Sequence, residues 1–434
     1  MSLPSDIAAM QGAAPERLMH YVWQTLSFDA QGLQTTDGQE LAILAPGKLN
    51  TNQGPDFGEA HILLGGLDWY GAIELHTTTD HWYRHGHHQD TAYNSTILHV
   101  VLHSTGRPVQ RADGTCIPEL ELGPRIRQQL LSYEHLMLAQ SFIPCSGQVA
   151  RVPGLIQAGW LARMGWERLQ QKADALRPWL AQAQGDWEQL LWMVLCRALG
   201  SPQNQQPFEQ LSMAMPISLV KRYRTDLFQL EALLLGAAGM LAHHPDDAYM
   251  ARLHTEWQFL RQKHRLPPGP PLHWQMHRMR PSHFPSLRLA QLAALLHRLP
   301  NLFPLIEDAA CLHTPIVASG YWDTHYRLGE ASTAEQPKPK VLGTATLHSL
   351  QINALIPFRI LYDQQTGKPE QVEAAQSLLE AIPRENNHIT TAMAAEGFAH
   401  RNAFDSQALY HLYTCYCTEK KCTHCAIGHR LLRG

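Results

Sequence analysis

Between residues 40 and 103 apolar and polar side chains alternate in short runs, the period-two pattern of strands. The spacing predicts strands over Glu40–Leu44, Ala60–Leu64, Tyr70–His76 and Thr96–His103. Gly65-Gly66, between the second and third, is a hairpin signal because both glycines can adopt positive φ. Ahead of these strands Leu18, Tyr21, Val22 and Leu26 form a helical stripe, with Pro15 at its start, where a missing N–H costs nothing. Beyond Pro144 the period lengthens. Amphipathic helices are expected over 155–175, 186–199, 226–241, 246–263 and 286–298, and the last hundred residues read as helical again. The run HRLPPGPPLHW at 264–274 interrupts them, and STAEQPKPK at 332–340 reads as an exposed loop.

The expectation is an α+β protein in three parts: an α/β domain over 1–125, a helical domain over 126–265, and a helical C-terminal region over 266–434. A chain of 434 residues with 44% hydrophobic and 17% charged side chains has material for several cores. The first residues lack a basic segment followed by an apolar one, so no secretory signal is read there. LEALLLGAAGML at 230–241 is too short to span a bilayer. A cytoplasmic protein without a membrane anchor is therefore expected. The net charge of −3 argues against a nucleic-acid coat but leaves room for a local nucleic-acid groove.

Candidate chemistry concentrates in residues 48–90. Asp56 follows Gly54-Pro55 at the mouth of a strand, and on Tyr70–His76 the residues Tyr70, Ala72, Glu74 and His76 share one face. Ile73 and Leu75 point to the other face, toward a core. Two carboxylates and a basic group on adjoining strand ends can hold Mg²⁺ or Mn²⁺ and activate water. The simpler alternative makes Asp56 a turn residue and Glu74 an exposed strand residue. His85, His87 and His88 follow in an HGHH run. They can ligate zinc or a second ion, but a polar loop facing solvent is the preferred reading. His99 and His103, four apart on one strand, read as surface residues.

Pro55-Asp56, a hairpin, and Glu74-Leu75-His76 in that order resemble the restriction-endonuclease-like nuclease superfamily, whose signature is Pro-Asp followed by (Asp/Glu)-x-Lys. The resemblance covers about residues 15–105. It implies a restriction-endonuclease-like core, Asp56 and Glu74 as metal ligands, His76 in the place of the water-orienting lysine, Lys48 as a substitute cation, and Glu16 as a further acid from the first helix. Loss of the lysine also fits a degenerate site that binds without cutting.

Cys415, Cys417, Cys422 and Cys425 form C-x-C-x₄-C-x₂-C near the C-terminus. Soft thiolates at this spacing select zinc or an iron–sulfur cluster. All four, or three with His424 or His429, can hold zinc. Alternatively Cys417, Cys422 and Cys425 join the distant Cys145, a layout that resembles nucleases of the same superfamily that staple their fold with an iron–sulfur cluster. Farther upstream, Arg278, Arg280, His283 and Arg288 surround two prolines before a helix, an arrangement that grips phosphate or pairs with buried acids.

Over nearly the whole chain the strings GPDF, IELH, DHWYRHGH, RPSHFP, YWDTHY and CAIG resemble an uncharacterised bacterial family known only as a domain of unknown function. The leading expectation from the residues is a metal-dependent nuclease hydrolysing phosphodiester bonds of DNA or RNA. The alternative is a catalytically degenerate binding or scaffold protein.

Overall fold

The computed structural model describes residues 14–241, 247–267, 272–299, 301–307, 314–332, 336–367 and 372–433. Residues 268–271 of the proline-rich break, 333–335 of the expected loop and the first residue of the expected 246–263 helix lie outside them. The chain divides into two compact units. One comprises residues 1–162, 387–399 and 409–434, the other 163–386 and 400–408. A division into three consecutive segments at 125 and 265 differs from this partition, because the C-terminal cysteine region returns to the first unit.

In the first unit helix α1 (Ala14–Gln24) precedes strands β1 (Leu33–Gln34), β2 (Glu40–Ala45), β3 (Lys48–Leu49), β4 (Phe57–Leu64) and β5 (Leu67–Thr78). Then come helix α2 (Asp80–Arg84) and β6 (Thr96–His103), β7 (Val109–Gln110), β8 (Cys116–Ile117) and β9 (Glu119–Glu121). The main sheet runs β1-β2-β4-β5-β6-β9, with β3 on β4, while β7 and β8 form a separate ribbon. Pairing is antiparallel from β1 to β5, then parallel for β5–β6 and β6–β9. The hairpin between β4 and β5 turns on Gly65 and Gly66 alone, with Leu64 opposite Leu67. Their φ values of 55° and 82° are those that match a two-residue turn to the strand twist.

A parallel pair cannot be closed by a tight turn, so the β5–β6 connection must cross over. Residues 79–95, with α2 and the HGHH run, make that crossing. Helix α1 and the crossing both pack on β5. Leu18, Met19, Val22 and Trp23 of α1 are fully buried. As a result β5 is buried on both faces from Ala72 to His76, and β6 from Thr96 to Leu102. Alternation still sets which side chains share a face, but over these residues neither face meets water.

The second unit is helical around one leucine-rich core, with a small ribbon of His325–Arg327 against Glu330–Ala331. Leu227–Ala237 is apolar apart from Gln229 and Glu231 and buried from Leu230 to Ala237, Glu231 accepting from the Tyr249 hydroxyl. Asp186, Asp226 and Asp247 cap helix starts by accepting backbone N–H bonds. The fold is thus mixed α/β with a mostly helical remainder. Among the described residues no helix is long and apolar enough to cross a membrane.

Candidate metal centre

The parallel register sets Glu74 of β5 opposite His99 of β6, and His99 opposite Glu119 of β9. Directly opposed residues point the same way, so a carboxylate, an imidazole and a second carboxylate form a row across three strands. His76, two residues beyond Glu74, lies on that face. All four are buried, His99 completely. His99 is therefore not the surface residue its spacing suggested; His103 is half-exposed beside Glu121, at 3.6 Å.

A chain of hydrogen bonds assigns the ring nitrogens. Glu119 Oε2 accepts from His99 Nδ1 at 3.0 Å, while Glu119 Oε1 accepts from the hydroxyls of Thr79 (3.1 Å) and Ser104 (2.5 Å). Burial lowers the His99 pKa against the opposing pull of Glu119, so its ring stays neutral and its Nε2 carries a lone pair. That lone pair accepts from His76 Nδ1 at 2.9 Å. His76 is then left with a bare Nε2, facing His85 Nδ1 at 3.2 Å and Glu74 Oε1 at 3.5 Å. Burial, reinforced by the neighbouring imidazoles, drives the His76 pKa far down, which holds the ring in the neutral form a metal needs.

His87 completes the group. Its Nε2 lies 3.3 Å from Glu74 Oε1, and its ring stacks on Tyr93 with centroids 3.8 Å apart. Among the described residues His76, His85 and His87 bring ligand nitrogens within 4.8 Å of one another. His76 and His87 are buried, whereas His85 is exposed, so the group opens to solvent on one side. Three imidazoles with one open side are the donor set of a catalytic zinc-type site. The HGHH run is thus a wall of the site rather than a solvated loop, for His87 at least. The fully buried Trp82 fixes this wall, its indole N–H donating to Gln110 O and its ring edge-on to both His87 and His99.

The other expected residues divide between the site and elsewhere. Asp56 lies beside Glu74, but as a brace: its N–H donates to Glu74 Oε2 at 3.0 Å, and its Oδ2 accepts from Leu75 N–H at 3.0 Å. The same Oδ2 meets His20 Nε2 at 3.1 Å. Burial opposes charge on His20, yet Asp56, Glu16 and Glu74 outweigh it and raise its pKa. Glu16 reaches the rim, 3.7 Å from His81 Nδ1. Lys48 does not enter; it is exposed and paired with Glu59 at 2.5 Å. Glu74, far from the exposed strand residue of the simpler reading, has its pKa raised by burial, partly offset by His87. His20 and Glu119 were not singled out in the sequence, and His99 was read only as a surface residue. A lone histidine in the unbroken apolar strand ILHVV was the available signal, because a strand without alternation is covered on both faces and its polar residue needs a partner.

The cysteines form a second group in the same unit. Cys145, Cys417, Cys422 and Cys425 all interact electrostatically with one another. Burial pushes the thiols of Cys145 and Cys422 up to about 12. Cys415 points elsewhere, to His411 Nδ1 at 3.5 Å. His424 bonds Thr423, and His429 sits edge-on to Tyr21. No disulfide joins the described cysteines. In the second unit Arg288 is buried and bonds Gln291 and Thr346, both at 3.0 Å, so it is built into the interior instead of gripping phosphate.

Glu119 reaches His76 only through His99, and it sets which nitrogen of His76 is bare. Carboxylates placed behind a metal-ligating histidine typically contribute 10–100-fold in metal affinity. Glu119→Gln is expected to weaken Zn²⁺ binding about 10–100-fold while leaving the stoichiometry of one. Competition titration against a chromophoric chelator measures it; an unchanged affinity would separate Glu119 from the site.

The fold and this group of side chains define a mixed α/β protein with a candidate imidazole-lined metal centre. The chain belongs to the family described as protein of unknown function (DUF2851), whose model matches residues 16–388. No curated protein and no solved structure matches it.

Proposed function

We propose that the protein is a metal-dependent hydrolase of nuclease type, cleaving phosphodiester bonds with His76, His85 and His87 holding the ion and Glu74 serving the attacking water. One observation carries the reading: three ligand nitrogens within 4.8 Å of one another, with a buried carboxylate oxygen 3.3 Å from one of them. The donor set favours zinc or a related imidazole-binding ion over Mg²⁺, because the oxygens of Asp56 and Glu74 are partly engaged by backbone N–H groups and imidazole is a borderline ligand. When bound, such an ion supplies Lewis acidity that brings the pKa of water toward neutrality. His76, held neutral and hydrogen-bonded from behind, orients as a ligand and does not replace the family lysine as a base. Glu74, raised by burial, is placed to take the proton from the water. Asp56 keeps Glu74 in place through its N–H.

Nucleic acid enters as the substrate through the order of parts. What supports this is the resemblance in chain order: Pro55-Asp56 ahead of β4, a hairpin, Glu74-x-His76 on β5 and a crossover to a parallel strand. The test is cleavage of single-stranded, duplex and branched DNA and RNA with Zn²⁺, Mn²⁺, Mg²⁺ or chelator. Wild type is expected to cut in the presence of an imidazole-binding ion and not in chelator, and exposed His85→Ala to lose both stoichiometric metal and cutting. Bound metal without turnover on any of these substrates would move the protein to the binding or scaffold class. Equal traces in wild type and variant would mean contamination.

A further inference from the structure

We propose that the groove along the helix Ala426–Arg433 binds the phosphate backbone of a single-stranded nucleic acid. The groove and its charge stand on their own residues, while the choice of nucleic acid among polyanions rests on the nuclease reading above.

This helix is divided lengthwise. Ile427, Gly428, Leu431 and Leu432 are buried. Ala426, His429, Arg430 and Arg433, spaced i, i+3, i+4 and i+7, make the other stripe and line an open cavity of about 590 Å³ together with His424. Two guanidinium groups and two imidazoles are thus strung along about 10 Å of helix. No carboxylate is among the residues that line the cavity. Arg433 donates to neutral acceptors, Ser27 Oγ at 3.1 Å and Thr25 O at 3.2 Å, which place the guanidinium without cancelling its charge. Burial and then the charge of Arg433 lower the His429 pKa, as expected where positive potential prevails.

The rest of the lining has another character. Ile156 and Trp160, one turn apart near the start of the helix that opens at Gly154, give the cavity an apolar and aromatic side. A single-stranded nucleic acid is divided in the same way, with phosphates along one edge and exposed base faces along the other. Guanidinium forks match phosphate oxygens in pairs. Cations strung along a helix suit charges strung along a chain better than one point anion. A duplex buries its base faces in the stack, and an acidic peptide offers no comparable flat apolar faces.

Helix α1 joins the groove to the metal centre. Tyr21 packs edge-on against His429 with centroids 5.3 Å apart. The preceding residue, His20, meets Asp56, whose N–H braces Glu74. The groove and the metal centre therefore meet the same turn of one helix, whose diameter with side chains is about 10–12 Å.

The test is a fluorescence anisotropy titration of the full chain with a labelled single-stranded oligonucleotide, over a series of salt concentrations and with chelator present so that the strand stays whole. Wild type is expected to bind, less tightly as salt rises. Arg430→Gln and Arg433→Gln are each expected to lower the slope of log affinity against log salt by about 0.7, the loss of one phosphate contact on a single strand. Arg430→Lys is expected to keep the slope, as is Arg252→Gln in the second unit. Unlabelled duplex and polyglutamate should compete less well than the unlabelled strand. Wild type that fails to bind at low salt, glutamine variants with the wild-type slope, or equal competition by duplex or polyglutamate would overturn the proposal. The wild-type titration and competition decide the matter even if the arginine variants fail to fold. Arginine-dependent binding without cutting once metal is restored would leave the groove standing and remove the nuclease reading. Cutting with unchanged slopes in both glutamine variants would do the reverse.

Discussion

Glu74→Gln is expected to lower metal-dependent phosphodiester cleavage about 10²–10⁴-fold, the range a positioned general base supplies, while metal binding by the three histidines persists. The side chain is isosteric, and its Oε2 position can still accept from Asp56 N–H, the contact that ties the start of β4 to β5. What disappears is the carboxylate at 3.3 Å from His87 and 3.5 Å from His76. A merely structural Glu74 predicts the reverse, a loss of stability with turnover per folded molecule kept. Burial raises its pKa, so its charge is carried at a cost in the folded state, and neutralising it should leave metal-free stability equal or higher. Loss of turnover with retained stability and one bound ion supports the base. Loss of metal and turnover together would make Glu74 a fourth ligand, and unchanged turnover would remove it from the chemistry.

Acidification below about pH 6.5, with chelator present, is expected to destabilise the β5–β6 region by up to about 1.4 kcal/mol per pH unit for each of His76 and His99. The sign follows from their lowered pKa values. In the unfolded chain both rings take up protons as the pH falls through the ordinary value of 6.5. In the folded protein they stay neutral, so the unfolded state gains protons and stability drops. His20 works in the other direction, since its pKa is raised. Its contribution is fully present below 6.5 and is lost as pH rises through its folded value, so it does not offset the acid slope. Glu74, also raised, returns part of the loss only as the pH approaches the carboxylate range. Hydrogen exchange of β5 and β6 amides across the pH series is the direct measurement. Protection that stays flat from neutral pH down to the carboxylate range would show that these imidazoles are not held neutral by the fold.

Particular residues show where sequence reading reached and where it stopped. Thr96–His103 is a strand over the expected residues, and the Gly65-Gly66 hairpin forms as read. Both depend on local preferences that operate within a few residues. Alternation correctly grouped Glu74 with His76, yet it could not say that both faces of β5 are covered, because that depends on α1 and the crossover packing there. The HGHH run shows the same limit: His87 is buried against Tyr93 and His85 stays exposed, although they stand two apart. Lys48, near in sequence, ends on exposed strand β3 paired with Glu59, and His20, more distant, reaches Asp56.

The sequence by itself determined the elements: period-two strands, the two-glycine turn, amphipathic helices, and the residue types able to bind a hard or a soft metal. Those are properties of short stretches, where backbone preference and side-chain chemistry act locally. Only the tertiary structure decided which side chains meet. Parallel register put Glu74, His99 and Glu119 in one row and thereby assigned the bare nitrogen of His76. Chain return brought Cys145 to Cys417, Cys422 and Cys425, and left Cys415 with His411. Such meetings are set by packing between segments remote in sequence, and local periodicity carries no information about it.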